Sequence, residues 1–190
     1  MKNIILFGKP GAGKGTQAAL LRDAFQLIHI STGDLFRYNI SNNTSLGALA
    51  KSYMDKGDLV PDEVTIKMLE AEVDANPDVG GFIFDGFPRT AAQAEALDVF
   101  LEDKNMSIRA TIALEVDEEV LVGRLLNRGK DSGRSDDQDE GKIRNRFVEY
   151  NKKTAPLIDY YKAQNKFYSI GGEGTVAEIS EQLTSLLHSL

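Results

Sequence analysis

Gly8-Lys9-Pro10-Gly11-Ala12-Gly13-Lys14-Gly15-Thr16 follows a short apolar run, Met1–Phe7, and opens a stretch, Lys14–Phe25, with Ala18, Leu21 and Phe25 at helical spacing. Gly8, Gly13 and Lys14 fit the phosphate-loop (P-loop) pattern G-x-x-x-x-G-K between a strand and a helix. Such a loop must aim several backbone N–H groups at a phosphate, and side chains would obstruct that approach. The helix N-terminus adds partial positive charge and Lys14 adds a full one. One position departs from the pattern. Gly15 stands where a hydroxyl residue normally meets Mg²⁺, and Thr16, one residue later, either takes over that contact or binds phosphate. An ordinary glycine-rich turn is the plainer alternative; the lysine in register between a strand and a helix favours a phosphate site.

Outward from the loop, Leu27–Ile30, Gly81–Phe84, Ile108–Leu114 and Phe167–Ile170 read as further strands. Gly33–Asn39, Ser45–Lys56, Asp62–Asn76, Ala91–Glu102, Glu118–Asn127 and Val176–Leu187 read as helices. The alternation predicts an α/β protein of the P-loop NTPase type, a five-stranded parallel sheet with helices on both faces. Ser31–Val60 holds helices without a strand and is a candidate insert or flap. Gly129–Gly141 is polar and glycine-punctuated, which predicts a loop and a second mobile element. Lys142–Gln164 is helical in pattern, with Pro156 predicting a kink or a break.

Bulk properties narrow the function. At 190 residues and 42% apolar, the chain fits one domain with small inserts. A net charge of -7 disfavours nucleic acid as a partner, because phosphate contacts supply most of that affinity. No apolar run is long enough to span a bilayer, so no membrane partner is expected. The N-terminus, with Lys2 alone before a short apolar run, does not read as a signal peptide. The absence of cysteine excludes disulfides and cysteine-ligated zinc, and fits the cytoplasm.

Three clusters speak to the acceptor. Ser31-Thr32-Gly33-Asp34-Leu35-Phe36-Arg37 ends the second strand, and Asp85-Gly86-Phe87-Pro88-Arg89, with Gln93 beyond, ends the third. Ligands of open α/β sheets bind past such strand ends. Arg124, Arg128, Arg134, Arg144 and Arg146 come later. Phosphoryl transfer between nucleotides needs alignment and charge neutralisation more than covalent chemistry. Arginine suits it, because its planar fork grips phosphate oxygens in pairs. Arg37 and Arg89 are the natural clamps on an acceptor phosphate. Arg124 and Arg128 share a helix face, which alone describes a solvated surface as well as a site. Arg144 and Arg146 cannot share a face, so at most one points inward. Asp85, at a strand end, suits a carboxylate that holds Mg²⁺ directly or through water, or a turn residue. His29, His188, Tyr150, Tyr160 and Tyr161 read as structural, and Asp136–Glu140 as mainly solvated.

Together these motifs resemble the adenylate kinase family. G-K-P-G-A-G-K-G-T, S-T-G-D-L-F-R, D-G-F-P-R-T with Gln93, G-R-S-D-D (Gly133–Asp137) and R-F-V-E-Y-N-K-K-T-A-P-L-I (Arg146–Ile158) occur in the family's order across nearly the whole chain. The Gly15-Thr16 departure is itself a family feature. The resemblance implies Mg²⁺-dependent ATP + AMP ⇌ 2 ADP in a single 1–190 unit, with an AMP-binding flap at 31–60 and a short lid at 127–137. It implies ATP phosphates at Gly11, Ala12, Gly13, Lys14, Gly15 and Thr16, with Gly174 touching adenine. It implies AMP at Thr32, Arg37, Asp58, Leu59, Val60, Gly86, Phe87, Pro88, Arg89 and Gln93. Lys14, Asp85, Arg89, Arg124, Arg128, Arg134 and Arg146 would surround the transferring phosphate, Arg128 on the ATP side and Arg134 and Arg146 reaching the AMP side. Mg²⁺ would be held mainly through phosphates and water, with Asp85 and Thr16 as the protein's candidates. The short lid implies no structural zinc, and the expected state is a cytoplasmic monomer. Thr32 and Gln93 resemble the adenylate rather than the uridylate/cytidylate enzymes, the close rival. A nucleotide-dependent switch would need a guanine-reading N-K-x-D, and Asn151-Lys152-Lys153-Thr154 lacks the Asp.

Overall fold

The computed structural model describes residues 1–190. Five parallel strands, β1 (Asn3–Phe7), β2 (Ile28–Ser31), β3 (Phe82–Asp85), β4 (Ile108–Glu115) and β5 (Phe167–Gly171), form one sheet in the order β2-β3-β1-β4-β5. β1 is central and buried throughout. Its alternate side chains feed two cores, as strand geometry requires. Ile4 and Leu6 pack on one face with Leu21, Ile112 and Leu183. Ile5 and Phe7 pack on the other with Phe84, Leu97 and Tyr161. Both faces are covered by helices, and the predicted α/β class is what the chain adopts.

Nine α-helices complete the chain: α1 (Lys14–Phe25), α2 (Thr32–Ser41), α3 (Ser45–Met54), α4 (Asp62–Asp74), α5 (Ala91–Asp103), α6 (Glu118–Ser132), α7 (Glu140–Glu149), α8 (Leu157–Ala163) and α9 (Val176–Ser189). Most start on a side-chain cap: Ser31 for α2, Thr44 for α3, Thr90 for α5, Asp139 for α7, and a Thr175–Glu178 capping box for α9. α1 has none, and no acidic residue in its first turn. Its N-terminal N–H groups are therefore left for a ligand. α2 and α3 carry a small core of their own, Phe36, Ala50 and Val60.

Two expectations change. Gly129–Gly141 is not all loop. α6 continues to Ser132, and a 3-10 turn at Ser135–Asp137 leads into α7. The sequence misled because Gly129 looked like a breaker. It is a packing residue, since a Cβ there would sit 2.6 Å from the Asp137 carbonyl oxygen. The 142–164 stretch divides into α7, a π-turn at Tyr150–Thr154 and α8, the break falling at Pro156 as expected.

Candidate functional site

Register brings the motifs together. Leu6 pairs with Asp85 on one side of β3 and Ser31 pairs with Asp85 on the other. The phosphate loop, the Thr32–Arg37 turn and the Asp85–Arg89 turn therefore leave the sheet at one end. They line a cleft of about 720 Å³. Seven cations and five carboxylates line it, in a chain of net charge -7. Positive potential is concentrated where anions would bind.

Gly13 stands at the N-cap of α1 with φ 95°, a left-handed conformation that glycine takes without strain. Lys14 follows and folds back over the loop, donating from Nζ to the carbonyls of Gly8 (2.8 Å) and Lys9 (3.2 Å). Burial, with Arg89, Arg146 and Arg128 nearby, lowers its pKa to about 8, against the opposing pull of Asp85. Ala12 is buried beneath the loop, while Gly11, Gly13, Gly15 and Thr16 line the cleft.

On the acceptor side, the Gly86 carbonyl accepts from Thr32 Oγ1 (2.9 Å) and Arg89 Nε (2.7 Å), tying two motifs to one turn. Burial lowers the Arg89 pKa to about 10. Gln93 is buried, and its Oε1 accepts from the Arg89 backbone N–H (2.8 Å). Arg37 donates to Asp34 (2.6 Å). Asp58, Leu59, Val60, Phe87 and Pro88 complete this wall.

Arg124, Arg128, Arg134 and Arg146 all line the cleft. Arg144 faces solvent and pairs with Glu119 and Glu140, so of the two residues spaced by two only Arg146 points inward. Arg124 donates to the Gly172 carbonyl (3.2 Å). Arg128 lays both arms on Asp137, and Arg146 reaches Asp136 and Asp137. In the 136–140 run, Gln138, Asp139 and Glu140 are exposed as expected, and these two aspartates are the buried exception. Pairing with arginines offsets their desolvation. Arg134 approaches Asp34 across the cleft at 3.6 Å.

Asp85 faces the loop, and a Cβ on Gly15 would lie 3.6 Å from its Oδ2. Burial raises its pKa, and His29, Lys14 and Arg89 together outweigh that and hold it below the usual carboxylate range. His29 was read as structural. It lines the cleft instead, with Nε2 3.5 Å from Asp85 Oδ2. Thr154 was also missed; it lines the cleft and donates to the Arg89 carbonyl (2.9 Å). His29 sits in no motif and is brought in by strand register; Thr154 lies within the Arg146–Ile158 motif, and the π-turn carries its hydroxyl to the cleft. Tyr150 also lines the cleft, whereas Tyr161 is core. Gly174 is exposed and stands off the cleft, two residues past Gly172.

Chemically, the cleft offers backbone donors at a helix start, with one lysine and arginines from several elements around the buried Asp85 carboxylate. That suits in-line transfer of a phosphoryl group between two bound anions. The family model described as adenylate kinase matches residues 6–166. The chain is 64% identical over 190 residues to an adenylate kinase of Flavobacterium psychrophilum, and 62% identical over 190 residues to one of Flavobacterium johnsoniae. It is 46% identical over 190 residues to one of Bacteroides fragilis. Each of these alignments covers 100% of both chains.

Proposed function

The chain belongs to the adenylate kinase family and is an ATP:AMP phosphotransferase, ATP + AMP ⇌ 2 ADP, and we propose the following division of labour within its cleft. Gly11–Thr16 hold the ATP phosphates through backbone N–H groups and Lys14. Arg37 and Arg89 clamp the AMP phosphate. Thr32, Asp58–Val60, Gly86–Pro88 and Gln93 enclose its base. An AMP phosphate oxygen attacks the γ-phosphorus in line, and the bond to the β-bridging oxygen breaks as ADP leaves. The nucleophile is already anionic, so no general base is needed. Lys14, Arg124, Arg128, Arg134 and Arg146 neutralise charge on the moving group.

The donors available to a metal are the Asp85 carboxylate and the Thr16 hydroxyl, both hard oxygens and too few to cage an ion. No group of three or more His, Cys, Asp or Glu side chains forms a metal cluster. That set fits Mg²⁺, which keeps its waters and binds through phosphates. When bound, Mg²⁺ supplies charge neutralisation and fixes the phosphate geometry. No structural zinc is proposed.

Residues 31–60 act as the AMP flap and 127–137 as a short lid, whose closure excludes water as a competing acceptor. Ser135 Oγ donates to Asp55 across these two segments (2.8 Å), which supports that reading. No helix is long and apolar enough to cross a membrane. The proposed state is a cytoplasmic monomer.

One observation carries the reading: Lys14, Arg89 and Arg146, from three separate elements, converge on one cleft of an acidic chain. A coupled assay should show ADP formed from ATP and AMP only with Mg²⁺ present. Inactivity with AMP beside strong activity with UMP or CMP would sink the AMP assignment.

A further inference from the structure

Asp62, the first residue of α4, lies behind the cleft wall rather than in it. Its Oδ1 accepts from Gln93 Nε2 (2.8 Å) and its Oδ2 accepts from Thr90 Oγ1 (2.9 Å). On the other side of the same amide, the Arg89 backbone N–H donates to Gln93 Oε1 (2.8 Å). A carboxylate only accepts and a backbone N–H only donates. Turning the Gln93 amide over would set its oxygen against the Asp62 carboxylate and its NH₂ against the Arg89 N–H. Two hydrogen bonds would become two repulsions, in a side chain only 2% exposed, where an unmet polar group is costly. The amide orientation is therefore locked.

From this lock we infer that Asp62 is a specificity-positioning residue, acting through Gln93 to select a monophosphate whose base carries an exocyclic amino group beside an acceptor ring nitrogen. An amide offers two N–H donors and two acceptor lone pairs. The protein uses one of each, leaving one N–H and one lone pair. Adenine is their complement, with N1 accepting and the 6-amino group donating. Hypoxanthine presents the reverse edge, N1–H beside a carbonyl, and would need the overturned amide that Asp62 and the Arg89 N–H forbid. This rests on the assignment of Gln93 to the AMP base.

The test compares AMP with IMP, which differ at the edge in question. Asp62→Asn keeps the shape but can donate as well as accept, so it releases the lock. The AMP-over-IMP ratio of kcat/KM should fall about tenfold, mainly through a higher KM for AMP, with kcat and the KM for ATP little changed. Equal losses for AMP and IMP would mean a merely structural role and overturn the inference. Gln93→Ala, run beside it, should also narrow the ratio. If Gln93→Ala narrows it and Asp62→Asn does not, the role of Asp62 fails and the assignment of Gln93 stands. If Gln93→Ala leaves both substrates unchanged, both fail. A wild-type measurement stands apart from any folding defect in the variants. The Gln93 side-chain NH₂ should show one proton shifted downfield and protected from exchange by Asp62. Two free-amide-like protons would overturn the lock.

Discussion

Asp85 Oδ2 stands 3.5 Å from His29 Nε2 on the adjacent strand, with both side chains largely buried. At that distance the two groups are close neighbours without a well-formed hydrogen bond, and His29 Nε2 has no hydrogen-bond partner. Asp85 also raises the pKa values of Lys14 and Arg89, against the burial that lowers both. It is thus a counter-charge shared by these two buried cations.

Asp85→Asn should therefore destabilise the ligand-free protein by about 2 kcal/mol at neutral pH, because it strands buried cations. The carboxyl's folded pKa is depressed. Its contribution is thus full above its unfolded value near 3.8 and is lost as pH falls through the lower folded value. Urea unfolding at pH 7 and pH 3 should show the gap between wild type and variant closing in acid. An equal gap at both would count against the charge argument.

Lys14→Met should abolish turnover, by at least about 10³-fold, yet raise the stability of the ligand-free protein by about 1–3 kcal/mol at pH 7. Folding lowers this lysine from 10.5 to about 8, so the unfolded chain binds more protons between those values. Wild-type stability should climb with pH across that window, and the variant should lack the climb. Thermal melts at pH 7, 8 and 10 read both outcomes.

Asp137, whose side chain is fully buried, holds Arg128 and Arg146 together. Asp137→Ala should cost about 1–3 kcal/mol by unpairing Arg128 and leaving Arg146 with Asp136 alone. Arg128→Ala should cost less stability, since Arg146 still satisfies the carboxylate, and more activity. Denaturant midpoints and kcat for the two variants should rank in opposite orders.

Chelation with EDTA should end turnover while leaving the melting temperature of the nucleotide-free protein unmoved. The protein supplies too few donors to hold Mg²⁺ tightly without phosphates. A melting temperature that falls with EDTA alone would reveal a resident metal.

Much of this was legible in the chain itself. The strand–loop–helix at Gly8–Thr16 is local chemistry, and the strand alternation foretold the parallel sheet. The polar run after Gly129 was harder. Its glycine is demanded by the close Asp137 backbone, and its aspartates are buried only because α6 and α7 bring Arg128 and Arg146 to them. Composition reports average solvation, not the one partner that makes burial tolerable.

The sequence by itself determined that a phosphate-loop pattern stands at the end of β1, because the N–H cradle and its lysine lie within one short segment. It also named the acceptor motifs, because each is a contiguous turn at a strand end. Tertiary structure alone decided which arginine of the Arg144 and Arg146 pair enters the cleft, that His29 faces Asp85, and that Asp62 orients Gln93. Those relationships depend on strand order and on how α4, α5 and α7 dock. The physical reason is that such contacts join residues far apart along the chain, and no local spacing encodes them.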